Sequence, residues 1–255
     1  VELGLDGARA FVGGASGGMG AATARALAGE GARVAVAARS ADKLSAIAAE
    51  IGGLAVPTDL ATATGPAQAI ERAVEAWGGL DLLVANSGGP PPGRFDDLTE
   101  EVWDRAIDGT LRSCVRLIRA ALPHLRASDR GAVLVILSSS VREPIDGLTT
   151  SNLIRPGLAG LIKSLTSEIA PVRINGIAPG RVATDRIAAL DAARAERDGV
   201  PVEEIQRRTI ARIPLGRYGD PAEIGRVATF LLSPAAAYVT GQIVGVDGGM
   251  IRSLP

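Results

Sequence analysis

Seven short, nearly all-apolar runs recur along the 255-residue chain, separated by longer stretches whose apolar residues return every third or fourth position. The runs are ARAFVG, ARVAVAA, GLAVPT, LDLLVAN, AVLVILS, RINGIAP and QIVGVD. A strand that is apolar throughout must be covered on both faces, as strands of a parallel sheet are. The segments MGAATARALAGEG, ADKLSAIAAEI and GPAQAIERAVEAWG, and the stretch from Thr99 to about Arg126, carry the helical period. In that last stretch Val102, Ala106, Cys114, Leu117, Ala121 and Leu125 mark one face, and Glu100 and Glu101 suit a first helical turn. Strand and helix in strict alternation imply right-handed crossovers. The expectation is an α/β fold: a single-domain, doubly wound, Rossmann-type parallel sheet of about seven strands with helices on both faces. Aromatic residues are only 3% of the chain, so Ala, Val, Leu and Ile must fill the core.

Ligands of such a sheet sit beyond the carboxyl ends of its strands. The segment 181–218 follows the sixth run, is charged and helical in places, and has no strand pattern, which predicts a substrate lid. Its Arg186, Arg194, Arg197, Arg207 and Arg208 either meet substrate or form a solvated face.

The formal charge of −1 and the lack of basic runs interleaved with aromatics argue against a nucleic-acid partner. No apolar run approaches the ~20 residues a membrane helix needs. The amino terminus carries no charged-then-apolar signal, so a cytoplasmic protein is expected. One cysteine allows no internal disulfide. Cys114 reads as a small buried hydrophobe and His124 as a surface residue, which leaves no basis for a metal site.

The stretch FVGGASGGMGAATARALA sets Gly14, Gly18 and Gly20, with Ser16, Gly17 and Met19 between them, at a strand-to-helix turn. Glycines there allow the turn, the approach of a pyrophosphate and close packing, and the helix start offers free N–H groups. The spacing is G-x-x-x-G-x-G. With PTDL, VANSGG, RINGIAPGRVATD and YVTGQIVGVDGGM following in order, the chain resembles the short-chain dehydrogenase/reductase family along essentially its whole length. The resemblance is to its 3-oxoacyl-reductase-like members.

That resemblance implies that Asp59 and Leu60 border the adenine, and that Asn86, Ser87 and Gly88 line the ribose. Pro179, Gly180, Val182 and Thr184 would border the nicotinamide, in a homo-oligomer, tetramer or dimer. Without a ligand, Asp59 simply caps a turn and the Pro-Gly pair ends a strand. The second run ends at Ala38, where a carboxylate would select NAD, and Arg39 follows, where it meets a 2′-phosphate. The expected cofactor is therefore NADP(H) in preference to NAD(H).

The family's reaction uses Asn, Ser, Tyr and Lys. Spacing points to Ser138 as the serine, whereas the Ser-Val pattern points to Ser140. Thr110 stands at the asparagine position, Ser151 at the tyrosine and Arg155 at the lysine, where it would hold the cofactor ribose. Tyr218 and Tyr238 lie in segments the family uses structurally. Pro156 predicts a helix that starts at about Ser151 or Asn152, one of them its N-cap. Ser151 thus has a capping and a catalytic reading. Arg155 would fall in the first turns, where the helix dipole opposes a cation and either a cofactor ribose and phosphate or a neighbouring Asp or Glu must compensate. The resemblance implies an NADP(H)-dependent reductase or alcohol dehydrogenase acting on a small carbonyl or alcohol. A nucleotide binder without turnover, and a cyclase or dehydratase, are the other outcomes the altered positions allow.

Overall fold

The computed structural model describes residues 2–253. Each apolar run is a strand: β1 Arg9–Gly13, β2 Arg33–Ala38, β3 Leu54–Pro57, β4 Leu82–Ala85, β5 Ala132–Ile136, β6 Arg173–Pro179 and β7 Ile243–Val246. They form one sheet in the order β3-β2-β1-β4-β5-β6-β7, and every neighbouring pair is parallel. The helices are α1 Gly18–Gly29, α2 Ala41–Ile51, α3 Gly65–Trp77, α4 Glu100–Ala106, α5 Ser113–Arg126, α6 Thr149–Glu168, α7 Asp185–Asp198, α8 Val202–Ile210 and α9 Pro221–Leu232.

Successive strand residues face opposite sides, so the sheet carries two cores. Phe11, Leu83 and Val133 join Ile70 of α3, Leu117 of α5 and Leu158 of α6 on one side. Ala10, Val12 and Leu134 join Leu27 of α1, Leu44 of α2 and Ile224 of α9 on the other. With few aromatics, helices must approach closely to exclude water. A Cβ on Gly225 of α9 would lie 2.6 Å from the Ala22 carbonyl oxygen of α1.

At the amino edge of the sheet one buried carboxylate is fully satisfied. Asp81, 2% exposed, accepts from the Arg9 backbone N–H at 2.8 Å, from Arg9 Nε and Nη2 at 2.9 and 2.6 Å, and from Ser128 Oγ at 2.7 Å. Burial alone would raise its pKa, but these donors outweigh burial and hold it at about 2.

Two helical expectations need correction. The segment from Thr99 to Arg126 is not one regular helix, because Ile107–Arg112 forms a π-helical turn between α4 and α5. The inserted residue rotates the following turn while leaving apolar spacings nearly intact, so the sequence pattern hid it. Helix α6 starts at Thr149, not at Ser151 or Asn152, and its N-cap is Leu148. Pro156 sits two turns inside. It removes one intrahelical hydrogen bond, and burial of Ile154, Leu158 and Ile162 against the sheet carries the helix through that loss. Ser151 is therefore no cap. Asn152 instead brackets the preceding loop, accepting from Ile145 N–H and donating to its carbonyl, both at 2.9 Å.

Among the described residues no helix is long and apolar enough to cross a membrane.

Candidate functional site

The chain runs outward from β1 through β2 to β3, then returns to place β4 on the other side of β1. The crevice beyond the carboxyl ends of β1 and β4 is the topological switch point where such sheets bind ligands. Its floor is made of glycines for two physical reasons. Gly14 and Gly18 have φ of +59° and +54°, and a Cβ on Gly14 would lie 2.7 Å from Asn86 Nδ2. A Cβ on Gly20 would overlap the Gly14 carbonyl oxygen. Gly17 and Gly88, by contrast, face open space. Asn86 staples the floor by donating from Nδ2 to the Gly13 and Gly14 carbonyls at 3.0 and 3.3 Å. Helix α1 then begins at Gly18 with no side-chain cap and no acidic residue in its first turn, so its free N–H groups are left for an anion.

A cavity of about 530 Å³ opens above this floor. Gly14, residues 16–20 and residues 86–88 line it, as do Ser138, Ser151, Arg155, Pro179, Gly180, Val182 and Thr184. Four positions singled out from the sequence lie elsewhere. Arg39 is exposed just past β2, and Asp59 is exposed with its Oδ1 accepting from Ala61 N–H at 3.0 Å. Leu60 is buried, within reach of Gly13. Thr110 is buried in the π turn, and its hydroxyl reaches across to the Gly88 carbonyl at 3.5 Å.

At the far end, Ser138 follows β5 and caps the short 3₁₀ turn Ser139–Val141, its Oγ accepting from Ser140 N–H at 3.2 Å. Ser140 is buried behind the cavity wall, and its Oγ lies 3.2 Å from Ser151 Oγ. Arg155 is 7% exposed and donates from Nη1 to the Ile136 carbonyl, while its Nε has no partner. Burial lowers its pKa to about 10, with Cys114 opposing that shift and Arg186 adding to it. The guanidinium is still charged at neutral pH. No carboxylate pairs with it among the described residues, which contradicts one of the two expected forms of compensation. Burial pushes the Cys114 thiol up to about 12, so it packs as a hydrophobe. Tyr218 is held away from the cavity, donating to Asp191 Oδ2 at 2.7 Å. Burial and that carboxylate raise its pKa to about 12. Tyr238 is wholly exposed.

The segment 181–218 folds as α7 and α8, several of its residues, among them Ile187, Leu190 and Thr209, line the cavity, and a bridge joins Val182 to Gly219. Thr184 caps α7, its Oγ1 accepting from Ile187 N–H at 3.3 Å. The arginines of this segment divide. Arg207 and Arg208 pair with Glu204, and Arg197 with Asp198, on the surface. Arg194 lines the cavity and reaches Asp198 at 3.4 Å. Arg186 lines it too, donating from Nη1 to the Gly89 carbonyl at 3.1 Å and from Nη2 to the Pro90 carbonyl at 2.7 Å. A Cβ on Gly89 would fall inside that guanidinium.

Sequence reasoning missed Lys43, Leu190, Met250 and Ile251, all cavity-lining. Lys43 stands one helical turn past Arg39, a spacing that offers a usable signal. Met250 and Ile251 are held there by Asp247, whose carboxylate accepts from Gly249 and Ile251 N–H at 2.9 and 3.0 Å. The motif was visible but its aim was not.

Comparison with known proteins places this geometry. A family profile described as enoyl-(acyl carrier protein) reductase matches residues 14–251. The chain is 33% identical to dehydrogenase/reductase SDR family member 4 of Oryctolagus cuniculus, over 91% of this chain and 89% of that protein. It is 30% identical to the 3-oxoacyl-[acyl-carrier-protein] reductase of Thermotoga maritima, over 97% and 99%. The L-sorbose reductase of Gluconobacter frateurii, solved with NADPH and L-sorbose, superposes with a TM-score of 0.94 at 28% identity, covering both chains fully.

Proposed function

The chain belongs to the short-chain dehydrogenase/reductase family of NAD(P)-dependent oxidoreductases, and within it we propose an NADP(H)-dependent carbonyl reductase with an altered proton-transfer set. The observation that carries this reading is the continuity of one cavity wall, from the open Gly17 to Ser138, Ser151 and Arg155. The glycine floor and the uncapped start of α1 fit a pyrophosphate. Arg39 just past β2 and Lys43 of α2, with no carboxylate at position 38, favour a 2′-phosphate. Asp59 and Leu60 would border the adenine, and residues 86–88 and Arg155 the ribose. Pro179, Gly180, Val182 and Thr184 would border the nicotinamide.

The bound cofactor supplies a hydride; the chain must supply orientation and a proton. Ser138, which lines the cavity where Ser140 does not, is the residue we assign to the substrate oxygen. Ser151 stands at the family's tyrosine position, its hydroxyl held 3.2 Å from Ser140 Oγ, and would pass to the substrate oxygen a proton that it regains from water in the cavity. A serine is a weaker acid than a tyrosine, and a positioned general acid is worth roughly 10²–10⁴-fold. Holding both reactants in place supplies effective molarities of roughly 10⁵–10⁸ M and survives that loss. Segment 181–218 is the substrate lid. A homo-oligomer, dimer or tetramer, is the assembly expected of the family.

The test is NADPH consumption across ketones and β-ketoacyl thioesters. We expect slow turnover, lost about 100-fold in Ser138→Ala and raised about 100-fold in the Ser151→Tyr, Arg155→Lys double variant. NADPH binding without consumption of any substrate would instead leave a nucleotide-binding protein without redox turnover.

A further inference from the structure

Helices α7 and α8 are fastened to the rest of the molecule by few bonds. Among the described residues, none of their apolar side chains belongs to either core of the sheet. The root of the segment is stitched: Gly219 N–H donates to the Arg181 carbonyl and Ala183 N–H to the Gly219 carbonyl, both at 2.8 Å. Inside it, the buried Asp191 of α7 accepts from Tyr218 Oη at 2.7 Å and pairs with Arg181 Nη1 at 3.6 Å. These bonds make one body of the segment, and all of them lie at its root or within it. A body joined only at its root opens at low cost.

Arg186 is the exception. Among the described residues, the hydrogen bonds that leave α7 or α8 for the chain beyond 181–219 are its two, from Nη1 to the Gly89 carbonyl at 3.1 Å and from Nη2 to the Pro90 carbonyl at 2.7 Å. Arg186 is exposed, and Glu143, Asp146 and Asp185 line the same cavity, yet its guanidinium bonds these two carbonyls. The acceptors sit on a loop that is itself held. Pro90, Pro91 and Pro92 fix φ there, and Thr150 Oγ1 of α6 donates to the Pro91 carbonyl at 2.7 Å. Gly93 N–H donates to the Gly147 carbonyl at 2.8 Å. Gly89 is fitted to the contact, because a Cβ on it would overlap the guanidinium. Its φ lies outside the left-handed region, so the arginine and not the backbone accounts for a glycine at this place.

We propose that Arg186 is a positioning residue that latches the lid to the Gly89 and Pro90 carbonyls and so sets substrate affinity, without touching the reacting atoms. The inference rests on the reductase reading for what the lid covers. A planar guanidinium spans two neighbouring carbonyls, whereas an ammonium is a single point charge. A lid held down in advance removes an ordering cost from substrate binding, so loss of the latch is read in KM.

The experiment times trypsin cleavage within 181–218, where Arg194, Arg197, Arg207 and Arg208 remain as sites, and measures NADPH-dependent reduction of acetoacetyl-CoA. Arg186→Gln and Gly89→Ala should each be cleaved there at least about 10-fold faster than wild type, with Tm within about 2 °C. Each should raise KM at least about 10-fold and change kcat less than about 3-fold, with Arg186→Lys between wild type and Arg186→Gln. The double variant should match the single ones, since both remove the same contact. Cleavage at the wild-type rate in both variants, an unchanged KM, or single effects that multiply in the double variant, overturns the proposal. Absence of NADPH consumption with every ketone and β-ketoacyl thioester would strike the reductase reading, and the cleavage rates would still decide the latch.

Discussion

Asp81 and Arg155 are both buried charges, at opposite edges of the same sheet, and their surroundings treat them in opposite ways. Asp81, before β4 at the amino edge, collects four hydrogen bonds from Arg9 and Ser128. Arg155, at the carboxyl edge, has one backbone carbonyl for company and an orphaned Nε. Both have lost their water. One has been fully compensated by the chain, and the other has not. The difference separates an edge that stabilises the fold from the edge where we place the chemistry.

The largest effect should come at the satisfied end. Asp81→Asn leaves Arg9 without its counter-charge and should cost about 3–5 kcal/mol, lowering Tm by roughly 6–20 °C in a chain of this size. NADPH affinity of the folded fraction should not change. The acid dependence has a definite sign. The folded pKa of Asp81, about 2, lies below its ordinary 3.8, so its stabilisation is complete above pH 3.8 and disappears as pH falls towards 2. Wild type and Asp81→Asn should therefore converge in stability at the acid end, measured by denaturant unfolding.

Next in size is Gly20→Val, whose Cβ would meet the Gly14 carbonyl and push the floor open. NADPH affinity should fall about 100-fold, close to 2.7 kcal/mol, by calorimetry. Gly17→Ala, facing open space, should keep the wild-type Tm. Arg155→Met should raise Tm or leave it unchanged, a gain of up to about 1–2 kcal/mol, while turnover is lost. A destabilisation as large as that of Asp81→Asn would break the comparison. The smallest effect is expected for Arg39→Ala with Lys43→Ala, about 10-fold weaker NADPH and unchanged NADH binding, measured side by side.

How much of this was legible follows from the same division. The seven strands and the glycine floor are written in short contiguous runs, because sheet burial and tight turns are local demands on backbone and residue type. Arg186 carries no such mark. Its partners are the carbonyls of Gly89 and Pro90, far away in sequence, and only the closed fold separates it from the solvated Arg207 and Arg208. Spacing pointed to Ser138 and the Ser-Val pattern to Ser140, and only the fold shows Ser138 on the cavity wall and Ser140 buried behind it. Pro156 misled because a helix stop is a local rule, whereas α6 is held by a tertiary one, the burial of Ile154, Leu158 and Ile162. The π turn that aims Thr110 at Gly88 was hidden by a pattern it barely disturbs.

Everything at the carboxyl edge depends on the glycine floor gripping a pyridine dinucleotide, and thermal unfolding with and without about 1 mM NADPH tests that grip directly. With a Kd on the order of 10 µM the bound state gains about 2.7 kcal/mol, and Tm should rise by roughly 5–11 °C, with matching heat in calorimetry. An unchanged Tm and no heat with either NADPH or NADH at millimolar concentration would contradict it.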